Sequence, residues 1–318
     1  MDKINLFLNG RMAIVTPIVL FVGISASSWI GNWTFIVPWL FMIITFASST
    51  KIAPMELVRT IRSPLPIVLC IIALQIIIPA LAYGIGSFLF SDDPMTLVGI
   101  VLAFIIPTAI ASLLWVSIYK GDTSLALTIV FINTLAAPIF IPITLYLLFQ
   151  TSVSFDIPAL VTGLIQMIVI PSILGVLVNH FSRKKFESRQ IPLDLIAKLC
   201  LLTVILINGS VVAPYFMPLQ SNVVIITGLI FLISVSAYMI GFVLAKLFKF
   251  SFQKIVAVMF CTGMRNIGVG SALAVVYFPA AVALPVVIGT LFQQLLASFM
   301  GKALLKFSVE NKTDLKNQ

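Results

Sequence analysis

Ten long apolar segments run through the chain, and this pattern restricts the fold more than any other feature of the sequence. A transmembrane helix needs about 20 mainly apolar residues, and segments of this kind recur along all 318 residues. They lack the period-two alternation of an open sheet or a lumen-facing barrel. We predict an all-α integral membrane protein with spans at 12–30, 34–52, 65–90, 97–119, 123–149, 157–180, 193–214, 222–247, 254–276 and 280–304.

The composition excludes a soluble globule. Hydrophobic residues make up 61% of the chain and charged residues only 9%, whereas soluble domains carry roughly 25% charged residues. The net charge of +9 does not indicate nucleic-acid binding, because the positive residues lie in short runs between apolar segments. The three cysteines lie inside apolar segments, without the spacing of a metal site or a disulfide framework. We therefore expect lipid around much of the chain, and no nucleic-acid partner.

The basic residues give the predicted spans an orientation. With the N-terminus inside, all but one of the 19 Lys and Arg residues lie on the inner side, whereas the outer loops hold Asp92, Asp93 and Asp156. This distribution follows the positive-inside rule and predicts a multi-pass protein of the plasma (cell inner) membrane with both termini cytoplasmic. The first segment is long for the h-region of a signal peptide, so we interpret it as a membrane anchor.

Ten spans divide naturally into two halves of five. Halves with an odd number of spans insert with opposite orientation, which favours an inverted repeat. We predict one transmembrane domain, 1–318, with inverted repeats at about 1–150 and 151–306 and a cytoplasmic tail at 307–318. In transporters of this kind, the substrate site lies where a discontinuous helix from each half meets its counterpart near the midplane.

The corresponding spans four and nine both carry helix-breaking residues midway. In span four Pro107 removes a backbone donor, although a simple proline kink is the alternative interpretation. Span nine contains Gly263, Gly268 and Gly270 around Arg265, the one basic residue outside the loops. Close helix packing would explain the glycines but not the arginine. Because unwound backbone in a membrane must be surrounded by protein or a water-filled cavity, we predict two broken helices at a functional site.

Polar residues in two further spans belong to the same predicted region. Gln75 precedes Pro79 in span three, and Asn133 with Thr134 precedes Pro138 in span five. Each of these residues alone is explained by a structural hydrogen bond between helices. Together with span nine, they predict one polar cluster at mid-depth.

At these residues the sequence resembles the bile acid:sodium symporter family, and the likeness extends along essentially the whole chain. Residues 263–274 resemble the family's E-x-G-x-Q-N-x-x-L-A signature, and residues 107–112 its P-G-G-x-x-S-N segment. Residues 75–79 resemble Q-F-x-x-M-P, and residues 133–138 resemble S-T-x-x-S-P. The combination of four motifs in this order is specific to the family.

The resemblance implies a core domain, in which broken helices four and nine cross, beside a panel domain. It also implies sodium sites near the crossing and an anionic substrate such as a bile acid or another organic acid. The positions that match the family's sodium ligands are Gln75, Ser112, Asn133, Cys261, Thr262, Met264 and Arg265.

The chain departs from the family's motifs where sodium would bind. Cys261 replaces the family's Glu, Arg265 its Gln, Leu113 an Asn, and Thr108 with Ala109 the paired glycines. A thiol is a poor ligand for a hard cation, and an arginine stays positively charged. Two unit charges 4 Å apart repel by roughly 4 kcal/mol at an effective dielectric near 20. We therefore expect sodium coupling of the family's type to be disfavoured.

These departures predict that Arg265 binds the substrate directly. All ten acidic residues lie in loops or at span edges, so a buried arginine needs an exogenous anion, and its planar fork suits a carboxylate, sulfonate or phosphate. The predicted function is secondary transport of a small organic anion, without catalysis, a cofactor or an obligatory protein partner. The predicted substrate-binding residues are Arg265, Asn266, Thr108, Ser112, Asn133 and Thr134, and the candidate ion ligands are Gln75, Ser112, Asn133, Cys261, Thr262 and Met264.

Several alternatives stay open at this point. Arg265 could snorkel or bond to carbonyls of the broken fourth helix, and a conventional sodium/organic anion symporter could use residual ligands such as Gln75. Facilitated transport, exchange, an anion channel and a membrane receptor are also compatible with the pattern. An enzyme is disfavoured, because no H-E-x-x-H motif, buried aspartate pair or Ser-His arrangement lies at mid-depth. The single histidine, His180, lies at the cytoplasmic end of span six and does not indicate proton coupling.

Overall fold

The structure, a computed structural model, describes residues 2–52, 64–149, 156–188 and 193–314. Within these ranges the chain is helical, without strands and with only two isolated β-bridges. The twelve helices described there are α1 (Asp2–Ser25), α2 (Ser27–Ser49), α3 (Pro64–Leu89), α4 (Pro94–Ile105), α5 (Ser112–Ile118), α6 (Thr123–Phe149), α7 (157–188), α8 (Leu193–Phe216), α9 (Ser221–Leu247), α10 (Phe252–Gly263), α11 (Ile267–Tyr277) and α12 (Ala280–Asp314).

The helices have the length and apolar surface of membrane spans. Among the described residues, α2, α3, α6, α7, α8, α9 and α12 are each long and apolar enough to cross a membrane. Shorter apolar helices are formed by part of α1 (Ile14–Ser25) and by α4, α10 and α11. Large apolar side chains such as Trp29, Phe88 and Phe181 are exposed on the outside, as lipid contact requires. The fold is that of an integral membrane protein, and the ten-span inverted repeat stays a prediction.

The predicted spans coincide with described helices, and the differences lie at their ends. The first helix ends at Ser25 rather than at 30, and α2 begins with a short helical turn, Ser27–Ile30, and a 3-10 helix, Gly31–Ile36, before the regular α-helix Val37–Ser49. The predicted boundary between 30 and 34 therefore lies on the 3-10 segment. The sequence gives no sign of the earlier end at Ser25, because small and apolar residues continue on both sides of Ala26. At the other end of the chain, α12 continues to Asp314, beyond the predicted limit at 304. Four basic residues used to orient the spans lie outside the described ranges: Arg59, Arg62, Arg189 and Lys316.

Spans four and nine are interrupted, as predicted from Pro107 and the glycines of span nine. The first interruption separates α4 from α5, and the second separates α10 from α11. Helices α3, α6, α9 and α12 pack around these four short helices. Outside this group, α1, α2, α7 and α8 pack against one another.

Glycines permit the close contact between α1 and α8. A Cβ atom at Gly23 would overlap the backbone oxygen of Leu206, and one at Gly209 would overlap that of Leu20. Small residues at such crossings let two helix backbones approach within a membrane, where dispersion contacts take the place of the hydrophobic effect.

Two of the long helices contain a π-helical turn just before a proline. In α3 the turn covers Ala73–Ile77 and precedes Pro79, and in α7 it covers Ile165–Val169 and precedes Pro171. Proline lacks an N–H group and collides with the carbonyl four residues earlier, so a wider turn relieves the conflict. In α3 the π turn contains Gln75, which is buried against the interruptions.

Candidate functional site

The two interruptions are hydrogen-bonded to each other through their backbones. The Asn266 N–H group donates to the Pro107 oxygen at 2.7 Å, and the Ala109 N–H group donates to the Met264 oxygen at 3.1 Å. Thr108 and Arg265 thereby form an antiparallel bridge. Each break supplies partners for polar groups that the other exposes, which removes the cost of leaving them unpaired away from water.

Four buried residues on one side of this bridge form a hydrogen-bonded chain, here called the closed network. The Gln75 Nε2 group donates to Asn133 Oδ1 at 2.6 Å, and Asn133 Nδ2 donates to Thr108 Oγ1 at 3.3 Å. Thr108 Oγ1 donates in turn to the backbone oxygen of Cys261 at 3.0 Å. The structure therefore confirms that the polar residues of spans three, four, five and nine meet in one cluster.

Three further residues at the family's sodium positions, Ser112, Cys261 and Thr262, also have contacts within the protein. Ser112 Oγ lies 4.0 Å from Cys261 Sγ, and that thiol lies 3.9 Å from the Ala126 oxygen. Thr262 Oγ1 donates to its own helix, at the Val258 oxygen. At another of the family's sodium positions, the Gln75 Oε1 atom is buried and has no hydrogen-bond partner among the described residues. Over the same ranges, no cluster of three or more His, Cys, Asp or Glu side chains could hold a metal ion.

The other predicted site residues have structural contacts or are simply buried. Asn266 Oδ1 accepts from the Val269 N–H group at 3.4 Å and so caps the start of α11. The Met264 side chain is buried, and so is Thr134 on α6. The predicted substrate contacts of these residues stay predictions.

Arg265 is buried without a partner for its charge. Its side chain is 3% exposed, and its Nε, Nη1 and Nη2 atoms have no hydrogen-bond partner among the described residues. Neither alternative interpretation of Arg265 fits this geometry, because the guanidinium neither snorkels to the surface nor bonds to carbonyls of the described chain. The backbone of Arg265 is well held, since Gln293 Nε2 donates to its oxygen at 2.7 Å.

A small cavity lies beside the arginine, here called the Arg265 cavity. It has a volume of about 20 Å³, and the residues around it include Arg265, Ser234, Tyr238 and Gln293. Tyr238 is 1% exposed, and its hydroxyl has no hydrogen-bond partner in the described part of the chain. The Tyr238 ring lies against Gly263, where a Cβ atom would overlap it. Two residues with unpaired donor groups thus lie around one cavity.

A second, larger cavity shares one residue with the first. It measures about 90 Å³ and is lined by α1, α8, α11 and α12, with Thr16, Ser271 and Gln294 among its polar residues. Gln293 lines both cavities. Gln294 accepts a hydrogen bond from Trp115 Nε1 at 3.0 Å. A chain of polar side chains therefore extends from the Arg265 cavity towards the contact between α1 and α12.

The sequence analysis missed Tyr238, Ser234 and Gln293. Ser234 and Tyr238 are isolated polar residues in a long apolar span, and such residues are common without a function. The adjacent Gln293 and Gln294 in span ten were the stronger signal, since two amides in a row are costly in lipid unless they have partners.

Comparisons with known proteins agree on one family. The family model described as the Sodium Bile acid symporter family matches residues 37–223, a range that ends before α10 and Arg265. The Bacillus subtilis (strain 168) protein YbaS, which is uncharacterized, is 39% identical over 302 residues that cover 94% of this chain and 98% of YbaS. An uncharacterized sodium-dependent transporter of the same organism, YocS, is 26% identical over 96% of this chain and 94% of its own. A probable sodium/metabolite cotransporter of rice chloroplasts, BASS3 (Oryza sativa subsp. japonica), is 25% identical over 76% of this chain and 58% of its own.

Proposed function

The chain belongs to the sodium bile acid symporter family, and from this premise we propose that it carries a small organic anion, which binds to Arg265. Family membership and the apolar helices make the chain a multi-pass membrane transporter. The observation that supports an anionic substrate is the buried guanidinium of Arg265, which lacks a hydrogen-bond partner among the described residues. A buried charge is retained in a membrane protein only where function repays its cost.

The chemistry of Arg265 selects the class of substrate. A guanidinium stays protonated and presents its N–H groups in a planar fork that matches two oxygens of a carboxylate, sulfonate or phosphate. The mainly apolar lining of the cavity favours an organic anion over a strongly hydrated one.

The proposed architecture is the one predicted from the sequence, with ten spans in two inverted repeats. The protein lies in the plasma membrane, and both termini lie in the cytoplasm. In this arrangement α4 with α5 and α10 with α11 form the two broken spans of a core domain, and α1, α2, α7 and α8 form the panel domain. The contacts among these helices support the division. The closed network and the backbone bridge then lie near the bilayer midplane, where such carriers place their substrate.

Transport requires the region around Arg265 to open. A cavity of about 20 Å³ has room for roughly one water-sized group, so an organic anion enters only after the surrounding helices separate. On this proposal, the structure represents a state in which Arg265 is closed off from an organic anion. Rocking of one helix group against the other gives access from each side in turn.

Uptake into proteoliposomes tests the role of Arg265. With cholate, butyrate and ethanesulfonate as probes, we expect the Arg265→Gln variant to lose about 100-fold in uptake at low substrate, because charge-assisted hydrogen bonds contribute roughly 3 kcal/mol. The Arg265→Lys variant keeps the charge but not the fork, so we expect an intermediate loss. Lys302→Gln, a neutralisation of an exposed cation on α12, serves as the control. Unchanged uptake by Arg265→Gln would falsify the proposal.

Sodium coupling is the second candidate mechanism, because YocS and BASS3 are named as sodium-dependent or as sodium cotransporters. We propose that this chain does not need sodium, since Cys261 and Arg265 replace an acidic and a neutral residue of the family motif. Uptake should then persist when choline replaces sodium. The double variant Cys261→Glu/Arg265→Gln restores the motif and should acquire sodium dependence. Strict sodium dependence of the unaltered protein would instead support a conventional symporter that uses Gln75.

A further inference from the structure

A cluster of exposed tryptophans lies where α1 passes into α2. Three of the four tryptophans of the chain, Trp29, Trp33 and Trp39, lie within residues 29–39. Their side chains are 85%, 48% and 67% exposed, and Phe35 between them is 70% exposed. A contiguous set of large exposed rings marks a surface that contacts something outside the protein.

The indole N–H groups of this cluster differ from that of the fourth tryptophan. Trp115 Nε1 donates to Gln294 Oε1 at 3.0 Å. The indoles of Trp29 and Trp33 are exposed and have no hydrogen-bond partner among the described residues. An indole combines a large apolar ring with one donor, so it is most stable where the ring meets hydrocarbon and the N–H group meets an acceptor. The boundary between a bilayer and water offers both.

Uncharged polar residues are exposed among the rings. Ser25, Ser28 and Asn32 have exposed side chains, and no charged residue lies between Arg11 and Lys51. A surface in bulk water would carry charges, and a surface among acyl chains would carry mainly apolar groups. The mixture of rings and uncharged polar groups fits the headgroup region that lies between these two media.

The exposure extends around the segment instead of following one face. Three consecutive residues, 31–33, are all exposed, whereas a helix that packs against a protein partner presents a single stripe. The connection therefore projects from the helix bundle. This shape favours a fluid partner that surrounds the segment, such as phospholipid headgroups, over a second copy of the chain.

The geometry of α2 places its tryptophans at two depths. The regular α-helix Val37–Ser49 spans about 20 Å at 1.5 Å per residue, which is less than the hydrocarbon thickness of about 30 Å. The 3-10 helix Gly31–Ile36 adds about 12 Å at 2.0 Å per residue. With Ser49 near one boundary, Trp33 lies close to the other. By the same rises per residue, Trp39 lies about 11 Å deeper than Trp33.

We propose that residues 25–33 form a surface that binds the headgroup and glycerol region of phospholipids, with the indole N–H groups of Trp29 and Trp33 donating to lipid oxygens. Trp39 contacts the acyl chains below them. This surface fixes the depth of the α1–α2 hairpin, which has no charged residue at its tip. In the proposed orientation the surface belongs to the outer leaflet, but its depth does not depend on that orientation or on the substrate.

Tryptophan quenching by brominated lipids tests the surface. The full chain is reconstituted into phosphatidylcholine vesicles whose acyl chains carry bromine either near the headgroup or near the bilayer centre. Trp29→Phe, Trp33→Phe and Trp39→Phe each remove one exposed indole, so the fluorescence lost from the unaltered protein reports that residue. We expect shallow bromine to quench Trp29 and Trp33 about twofold more than deep bromine, and the reverse for Trp39.

The fourth tryptophan is the matched control. The signal lost in Trp115→Phe comes from an indole that is bonded to Gln294 within the protein, so we expect the weakest response to both brominated lipids. The same depth for Trp33 and Trp39 would contradict the proposal.

Acrylamide in the aqueous phase distinguishes the other occupants of this surface. If Trp29 and Trp33 lie in bulk water, acrylamide quenches them and neither brominated lipid does, which overturns the proposal. If a second copy of the chain covers the surface, both indoles are shielded from acrylamide and from bromine until the protein is diluted into excess lipid. That result also overturns the proposal. Quenching by shallow bromine that is independent of the protein-to-lipid ratio supports it.

Discussion

Two polar regions meet at the crossing of the broken helices, and they differ in how their hydrogen bonds are satisfied. In the closed network, Gln75, Asn133 and Thr108 bond in series, and every link lies within the protein. In the Arg265 cavity, Arg265 and Tyr238 have no such partner among the described residues. Thr108 and Arg265 nevertheless face each other in one backbone bridge. On this ground we propose that the first region mainly holds helices together and that the second binds a ligand, although Gln75 Oε1 in the closed network is itself without a partner among the described residues.

The largest expected effect on stability comes from breaking the closed network at its centre. Asn133→Leu removes two hydrogen bonds and leaves the Gln75 amide buried without a partner. Interhelical hydrogen bonds in membranes contribute roughly 0.6–1.7 kcal/mol each, so we expect a loss of about 2–3 kcal/mol, measured by thermal unfolding in detergent. Asn222→Leu, the same change at an exposed position of α9, is the control. Equal midpoints for the two variants would show that the network does not stabilise the fold.

Replacement of Arg265 is expected to raise the stability of the fold, in contrast to Asn133→Leu. Arg265→Met replaces an uncompensated buried charge by an apolar side chain of similar length, and such replacements are often neutral or stabilising. We expect a gain of about 1–2 kcal/mol in the free energy of unfolding, together with loss of organic anion uptake. Lys302→Met changes an exposed cation on α12 and should leave both unaffected. A destabilised Arg265→Met variant would mean that the arginine has a structural role.

A smaller effect is expected from filling the space that holds the Tyr238 ring. Gly263→Ala introduces a Cβ atom into the ring, and overpacking of this kind typically costs about 1 kcal/mol or somewhat more. The cost is measured by thermal unfolding in detergent. Gly84→Ala on α3, where a Cβ atom meets no neighbour, should be neutral or slightly stabilising. Equal unfolding midpoints for the two glycine variants would show that the Tyr238 ring moves aside without cost.

The smallest effect is expected from an ion pair at the surface, in contrast to the buried charge of Arg265. Lys51 Nζ lies 2.6 Å from Asp194 Oδ1, with side chains 61% and 48% exposed. Exposed pairs contribute little after screening and entropy, so we expect Asp194→Asn to cost about 0.5 kcal/mol or less. Asp92→Asn, at an exposed position before α4, is the matched control. A loss of stability above about 1 kcal/mol would show that the pair belongs to a larger network of interactions.

Local chemistry explains which parts of the site could be predicted from the sequence. Pro107 and the glycine-containing polar stretch around Arg265 both weaken a regular helix, so both breaks were predicted. The signal is not decisive by itself, because Pro138 and Pro142 lie inside the continuous helix α6. The meeting of Gln75, Asn133 and Thr108 was predictable as well, because isolated polar groups in lipid need partners. Span lengths and the positions of the loops followed from hydropathy in the same way.

The rest of the site depends on packing between helices distant in sequence. Tyr238 reaches the cavity only because α9 packs against α10 and Gly263 leaves room for the ring. No periodicity within span eight indicates this contact. Similarly, the end of α1 at Ser25 is not marked by proline or charge, so hydropathy alone placed the end of the first span at 30.

The backbone bridge also constrains how the protein is made. The Pro107 oxygen receives its hydrogen bond from Asn266, and the Ala109 N–H group finds its acceptor at Met264, so each partner is synthesised about half a chain length later. Until α10 and α11 enter the bilayer, the first interruption has polar backbone groups that lipid cannot satisfy. A chain that stops before these helices would therefore contain an incomplete fourth span, which quality-control proteases could recognise. Assembly of the two halves is thus a single late event rather than two independent ones.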